Sequence, residues 1–216
     1  MRIDFIFDTI CPWCYIGKRR LERALSMRPG LMPDIRWRPF LLNPDMPVGG
    51  QDRQTYLERK FGSSYRIQRI HGAAVSAGDE EEIAFDFEAI TRTPNSINSH
   101  RLIAWSVNSD REAIVVENIF SAYFTHGRDI GDIDVLANIA EISGLPGNEA
   151  ARYLSNSASG FAAVEAENTR VHRLGVAGVP CYIFDERYAV AGAQEADMLA
   201  RLMDIARESE SIDASR

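Results

Sequence analysis

The stretch Arg2-Ile3-Asp4-Phe5-Ile6-Phe7-Asp8-Thr9-Ile10-Cys11-Pro12-Trp13-Cys14 decides how this chain folds. Its first six residues alternate and are rich in Phe and Ile, which predicts a short strand over Arg2–Phe7. After the cysteines, apolar Ile16, Leu21 and Leu25 recur among Lys18, Arg19, Arg20, Glu22 and Arg23. That spacing predicts an amphipathic helix over Trp13–Met27. Cys11 and Cys14 thus stand three apart at a strand-to-helix junction. A helix N-terminus offers unpaired N–H groups and a positive dipole end, which favour a thiolate on Cys11. Pro12 suits the first turn, where its missing N–H costs nothing. Cys14, one turn on, is in reach to close a small disulfide with Cys11 or to resolve a mixed one. The pattern points to thiol–disulfide chemistry.

Two other uses of such a pair are weaker. A structural zinc site needs two further ligands, usually a second close pair. Cys181 is the only other cysteine, and His71, His100, His126 and His172 are scattered, so no metal site is expected. A structural disulfide around so short a loop stabilises little.

A second signal lies far downstream. Gly178-Val179-Pro180 leads into Cys181-Tyr182-Ile183-Phe184-Asp185, then Glu186-Arg187, then Tyr188-Ala189-Val190-Ala191-Gly192-Ala193. This reads as a turn, a strand, a short connection and a second strand. Proline cannot donate to a ladder, so it belongs at a strand's first position or edge. Trans is the commoner X–Pro state, but cis costs little there. Paired with a Cys-x-x-Cys at the end of the first strand, the Val179–Pro180 bond is expected to be cis.

With Arg38-Pro39-Phe40-x-Leu42-Asn43-Pro44, Pro94-Asn95-Ser96-x3-His100-Arg101-Leu102 and Ala191-Gly192-Ala193-Gln194, these blocks resemble the DsbA-like branch of the thioredoxin superfamily. The closest resemblance is to the FrnE-like cytoplasmic dithiol–disulfide oxidoreductases, and it covers all but about the last ten residues. It implies that Cys11 and Cys14 are catalytic. It also implies that Pro180 faces them and that the Val179 backbone aligns a substrate chain, with Pro12 and Trp13 in the substrate-binding surface. His100 falls in a block similar to the family's substrate-side motif, where a histidine would steady a thiolate or a glutathione carboxylate. A hydrogen bond at the start of a helix is the competing reading of His100. A sister branch, the glutathione-dependent 2-hydroxychromene-2-carboxylate isomerases and kappa-class glutathione transferases, carries a serine where Cys11 stands. The full dithiol here argues for redox work, with no bound cofactor and with glutathione as a co-substrate. In DsbA itself the dipeptide between the cysteines contains histidine. Its absence here implies a weaker oxidant.

Composition fits such an enzyme. A chain of 216 residues, 45% hydrophobic and 25% charged, can bury a sizeable core. A formal charge of −7 and a pI near 5.2 disfavour nucleic acid as a partner. No run approaches the roughly 18 apolar residues that span a membrane. The first strand starts at Arg2, which leaves no place for a signal peptide and leads to the expectation of a cytoplasmic protein. There a dithiol is mostly reduced, and disulfides are catalytic or sensory. The expected partners are protein thiols and disulfides or glutathione, with a homodimer the remaining association the reading allows.

Along the chain an α/β fold is interrupted by helices. Strand Arg2–Phe7, helix Trp13–Met27 and strand Ile35–Phe40 make a β-α-β start that favours parallel pairing. Leu41–Gln51 is rich in Pro and Gly and marks a boundary. Helices are expected at Gln54–Phe61, Tyr65–Ala77, Asn98–Ser109, Glu112–His126, Ile133–Ser143 and Glu149–Leu154. A long helix Phe161–Leu174, the Pro180 hairpin and a closing helix Ala196–Ala206 follow. The expected architecture is a thioredoxin-like domain (1–52 and 158–216) with an inserted all-helical domain (53–157). Glu208–Arg216 is polar and expected to fray. Asp79-Glu80-Glu81-Glu82 reads as a solvated turn.

Two other functions compete with the oxidoreductase reading. In a glutathione-dependent isomerase or transferase, Cys14 would be incidental. A chaperone-like binder would use an apolar surface around Trp13, which otherwise covers the sulfurs. Cys181 is expected near the Cys11–Cys14 pair, either as a small core residue or as a regulatory thiol. Strand alternation leaves its face open, since a one-residue error flips it.

Overall fold

The computed structural model describes the backbone of residues 1–213 and side chains through Ser209. Strand β1 (Arg2–Phe7) has five of its six residues buried. It runs parallel to β2 (Asp34–Pro39) in the register Phe5 opposite Trp37, joined by helix α1 (Pro12–Ser26). Two-residue strands β3 (Gln51–Asp52) and β4 (Arg92–Thr93) pair antiparallel, a small sheet the sequence did not signal. Between and after them come α2 (Arg53–Phe61), α3 (Ser64–Asp79), α4 (Ile97–Ser106), α5 (Glu112–Phe124), α6 (Ile133–Ile142), α7 (Gly147–Ser155) and α8 (Phe161–Arg173). Strands β5 (Cys181–Phe184) and β6 (Tyr188–Ala191) and helix α9 (Ala196–Asp213) close the chain. The main sheet has the order β2-β1-β5-β6, with β5 antiparallel to both neighbours. This is the expected thioredoxin-like α/β fold with a helical insertion.

Local chemistry sets the boundaries. Asp52 caps α2 through the Thr55 N–H, Ser63 caps α3 and Asp132 caps α6. The β5–β6 turn places Asp185 and Glu186 in left-handed backbone (φ 47° and 59°), and the Asp185 carboxylate accepts the Arg2 N–H. Helix α1 starts at Pro12 itself.

The sheet separates two apolar clusters. On one face Ile3, Phe5, Phe7, Tyr182 and Phe184 pack with α1, α4, α5 and α9 in one continuous core. Phe5 stacks on Phe7, and both meet Trp37 edge-on. Each such buried ring contributes about 1.5–3 kcal/mol. On the other face Ile6, Phe40, Val171, Val176 and Cys181 form a smaller cluster.

Two expectations need correction. The acidic run 79–82 is not simply a solvated turn. Glu81 is buried and accepts hydrogen bonds from Arg20 Nε at 3.0 Å and from Arg23 at 2.8 Å. Two arginines projecting from α1 neutralise it, a long-range pairing that residue composition does not reveal. Helix α9 also continues through Glu208 to Asp213 rather than fraying after Ala206. Ala214–Arg216 lie outside the described residues.

Candidate active site

Cys11 is the N-cap residue of α1, with extended backbone (φ −98°, ψ 113°) and no side chain capping the helix. Its N–H donates to the Asp8 carbonyl at 3.1 Å, and its own carbonyl accepts the Cys14 N–H at 3.0 Å. These bonds fix the turn that presents both sulfurs. Cys11 is 6% exposed and Cys14 fully buried; all three cysteines are free thiols. Burial, and then the hydrogen bond and charge of Cys11, push the Cys14 thiol well above its ordinary value. Of the two sulfurs, that of Cys11 is the outer and that of Cys14 the inner.

The Val179–Pro180 bond is cis, and Cys11 Sγ lies 3.9 Å from the Val179 carbonyl oxygen. Helix and hairpin are locked together from behind by Tyr182, whose hydroxyl donates to the Gly17 carbonyl at 2.9 Å.

A cleft of about 250 Å³ opens beside Cys11. Pro12, Trp13 and Leu42 line one part of it, and Tyr56, Leu57 and Phe61 of α2 with Ile70 of α3 supply further apolar wall. Arg53, Lys60 and His71 add polar groups. Lys60 Nζ donates to Tyr56 at 2.7 Å and to Asn43 at 3.1 Å. Among the described residues neither Arg53 nor Lys60 pairs with a carboxylate, so the cleft is cationic in a chain of net charge −7. Burial, followed by the charge of Arg53, lowers the His71 pKa and favours the neutral ring. The α2–α3 contribution was not foreseen from sequence. Its signal, Arg53, Lys60 and His71 on two consecutive helices, carries no indication of which side chains turn toward Cys11.

His100 does not line this cleft. It sits on α4 with its ring against Phe7 (centroids 5.2 Å apart) and its Nε2 3.5 Å from Asp8 Oδ1. Asp8, fully buried, also accepts the Leu42 N–H at 2.7 Å and the Ile10 N–H at 3.4 Å. Nothing in the residues next to Asp8 assigns it a role. A carboxylate placed directly after an apolar strand was the available sign.

The Cys181 side chain points away from the pair. It packs with Ile6, Phe40 and Val171 on the opposite face of the sheet. Strand β5 therefore starts in the phase that turns residue 181 away from Cys11. Among the described residues no group of three or more His, Cys, Asp or Glu is arranged to hold a metal. No helix among them is long and apolar enough to cross a membrane.

A family model described as "DSBA-like thioredoxin domain" matches residues 2–204. The solved structure of a probable DsbA oxidoreductase from Streptomyces coelicolor is similar at a TM-score of 0.86 and 28% identity, covering 96% of this chain and 90% of that one. The cytosolic disulfide reductase DsbM from Pseudomonas aeruginosa, solved with GSH, gives 0.68 at 19% identity over 96% and 100%. A 2-hydroxychromene-2-carboxylate isomerase gives 0.72 at 18% over 98% and 99%. At such identities these last two share the fold. The Bacillus subtilis (strain 168) protein YwbO, itself described as uncharacterized, is 24% identical over 147 residues, 68% of each chain.

Proposed function

The chain belongs to the DsbA-like thioredoxin domain family, and from that premise we propose that it is a dithiol–disulfide oxidoreductase working through Cys11 and Cys14. The observation that carries this reading is the Cys11 sulfur at the tip of α1, 3.9 Å from the Val179 carbonyl, with Cys14 fully buried one helical turn behind it. The Cys11 thiolate attacks a substrate disulfide R–S–S–R′. A Cys11–S–S–R bond forms, the R–S–S–R′ bond breaks, and R′S⁻ leaves and takes up a proton. Cys14, as thiolate, then attacks Cys11; the Cys11–Cys14 disulfide forms and RSH departs. The substrate gains two electrons and the dithiol loses two. Two glutathione thiols returning the pair to its reduced state would yield one glutathione disulfide.

Glutathione suits the cleft beside Cys11. Among the described residues Arg53 and Lys60 lack carboxylate partners, and they would pair with its two carboxylates, while Trp13, Tyr56 and Phe61 cover its backbone. We place the activity in the cytoplasm, where that thiol is abundant and the pair would run as a reductase or isomerase.

Cys14→Ser is the test. Incubated with glutathione disulfide, the variant should accumulate a mixed disulfide on Cys11, seen by intact mass, and lose catalytic turnover. Full turnover without a trapped adduct would transfer the assignment to a glutathione-dependent isomerase, in which Cys14 takes no part.

A further inference from the structure

We propose that the outer edge of strand β2 is an exosite that takes up an extended segment of a partner protein as an additional strand, in a groove separate from the cleft beside Cys11. The proposal goes beyond the oxidoreductase reading and does not depend on the reaction carried out at Cys11.

Strand β2 ends the main sheet and is paired to β1 on one side only. The Asp34 N–H donates to the Met1 carbonyl and the Phe40 N–H to the Phe7 carbonyl. Bonding direction repeats every two residues along a strand, so Arg36 and Arg38 also face β1. Ile35 and Trp37 therefore turn their N–H and C=O groups outward. Pro39 falls in the same outward phase, where a missing N–H breaks no ladder bond. Among the described residues no bond outside the β1 ladder reaches the backbone of Ile35 or Trp37. An open edge of this kind is a template for another chain.

The surroundings fit a single extended chain. The edge runs along a cavity of about 270 Å³ between α4 and α8. Ala104 of α4, with Val107 just beyond that helix, forms one wall, and Ala163 and Val164 of α8 form the other. Ala104, Val107 and Ala163 are exposed, so the groove is reached from solvent. Walls on both sides of the edge admit a lone strand. They exclude a folded sheet edge, which would carry helices of its own into α4 and α8. An extended peptide in a groove between a sheet edge and a helix is an established mode of recognition, with main-chain bonds giving affinity and alternate side chains giving specificity.

The side chains of β2 define the partner. Trp37 lies on the α4 side, edge-on to Phe5 and Phe7, and Arg38 lies on the α8 side, held by Asp4 and Glu167. Partner side chains turned toward α4 meet Trp37 and Val107 and are apolar. Those turned toward α8 pass Arg36, whose ion pair with Asp34 is about half exposed on both sides (51% and 52%). Such a pair contributes little, so Arg36 can exchange Asp34 for a carboxylate across the new strand pair. The occupant is thus an extended segment in which β-branched and acidic residues alternate. Phe7 stands opposite Pro39 in the register, and Leu42, three residues further on, lines the cleft beside Cys11. A chain seated on β2 is therefore held at the edge of the sheet that leads to that cleft.

Fluorescence anisotropy with a fluorescein-labelled peptide, Ser-Val-Glu-Val-Glu-Val-Ser, tests this on the full chain. The peptide should bind saturably, and amide exchange at Ile35 and Trp37 should slow when it does. Two peptides N-methylated on alternate backbone amides should part: the set facing β2 should lose about tenfold or more in affinity, and the other should stay within about twofold. Ala104→Arg and Ala163→Arg stand at exposed helical positions that arginine suits. Each should block the groove and weaken binding by about tenfold, with the rate of Cys11 alkylation unchanged. No saturable binding up to about 1 mM peptide, equal losses with both methylated sets, or unaltered binding in both arginine variants overturns the proposal. A concentration-dependent dimer that Ala104→Arg abolishes, with no peptide bound, also overturns it and gives the edge to a second copy of this chain.

Discussion

The Tyr182 hydroxyl reaches across the core to donate a 2.9 Å hydrogen bond to the Gly17 carbonyl, joining strand β5 to the helix that Cys11 caps and that carries Cys14. The contact needs residue 17 to have no side chain. A Cβ there would stand 2.5 Å from the Tyr182 oxygen and 2.9 Å from Pro180 Cγ. Gly17→Ala should therefore destabilise the protein by about 1–3 kcal/mol, outweighing the roughly 1 kcal/mol that alanine adds in helix propensity. It should also push Cys11 and the Val179 carbonyl apart and slow turnover. Urea unfolding with parallel activity assays checks both; a variant more stable than its parent would show that α1 and the Pro180 turn are not tightly apposed.

Reactivity should divide the two active-site thiols. Cys14 is fully buried, and that burial, then its contact with Cys11, raises its pKa. Limited alkylation at neutral pH should label Cys11 first. In Cys11→Ser, Cys14 should alkylate slowly and speed up only as pH climbs past the ordinary thiol range. Peptide mapping that finds Cys14 labelled first would reverse the roles.

Alkaline pH should unfold the reduced protein by a definite route. Burial raises the folded-state pKa of Cys14 above 9.0 and that of Tyr123 and Tyr15 from 10.0 to about 12; it also raises that of Tyr182. In each case folding favours the neutral form. The stabilisation is whole below the unfolded pKa and is lost as pH rises toward the folded one. Denaturation midpoints should hold steady up to about pH 9 and fall between there and pH 12. A midpoint flat across that window would contradict the burial of these groups.

Glu81 should matter where its neighbour does not. Its carboxylate sits between Arg20 and Arg23, and Arg20 is itself buried. Removing one partner of a buried pair costs about 3–5 kcal/mol. Arg20 keeps the Ala193 carbonyl and Glu195, so Glu81→Ala should fall at the lower end. Exposed Glu82→Gln should change stability by less than about 0.5 kcal/mol. Equal effects would return the acidic run to an ordinary surface turn.

Cys181→Ala should leave turnover and peroxide resistance unchanged, because the side chain packs on the opposite face of the sheet with Ile6 and Val171. A modest loss of stability from the smaller side chain is the expected effect. Collapse of turnover, with the Cys11–Cys14 disulfide no longer forming, would mean that the resolving thiol is misassigned.

The sequence by itself determined the Cys11–Cys14 turn, the flanking strand and helix, the Pro180 hairpin and the positions of the helices. These follow from apolar periodicity, capping residues and proline's missing donor, all written within a few neighbouring residues. Tertiary structure decided what lies between distant segments. Val179 meets Cys11 across 168 positions, and Glu81 meets Arg20 across 61. The face taken by Cys181 turned on where β5 begins, because strand alternation is symmetric until the register is set. Asp8 and His100 are each ordinary in sequence. They become a pair only because α4 packs against the end of β1 and shuts out the water that would otherwise solvate both.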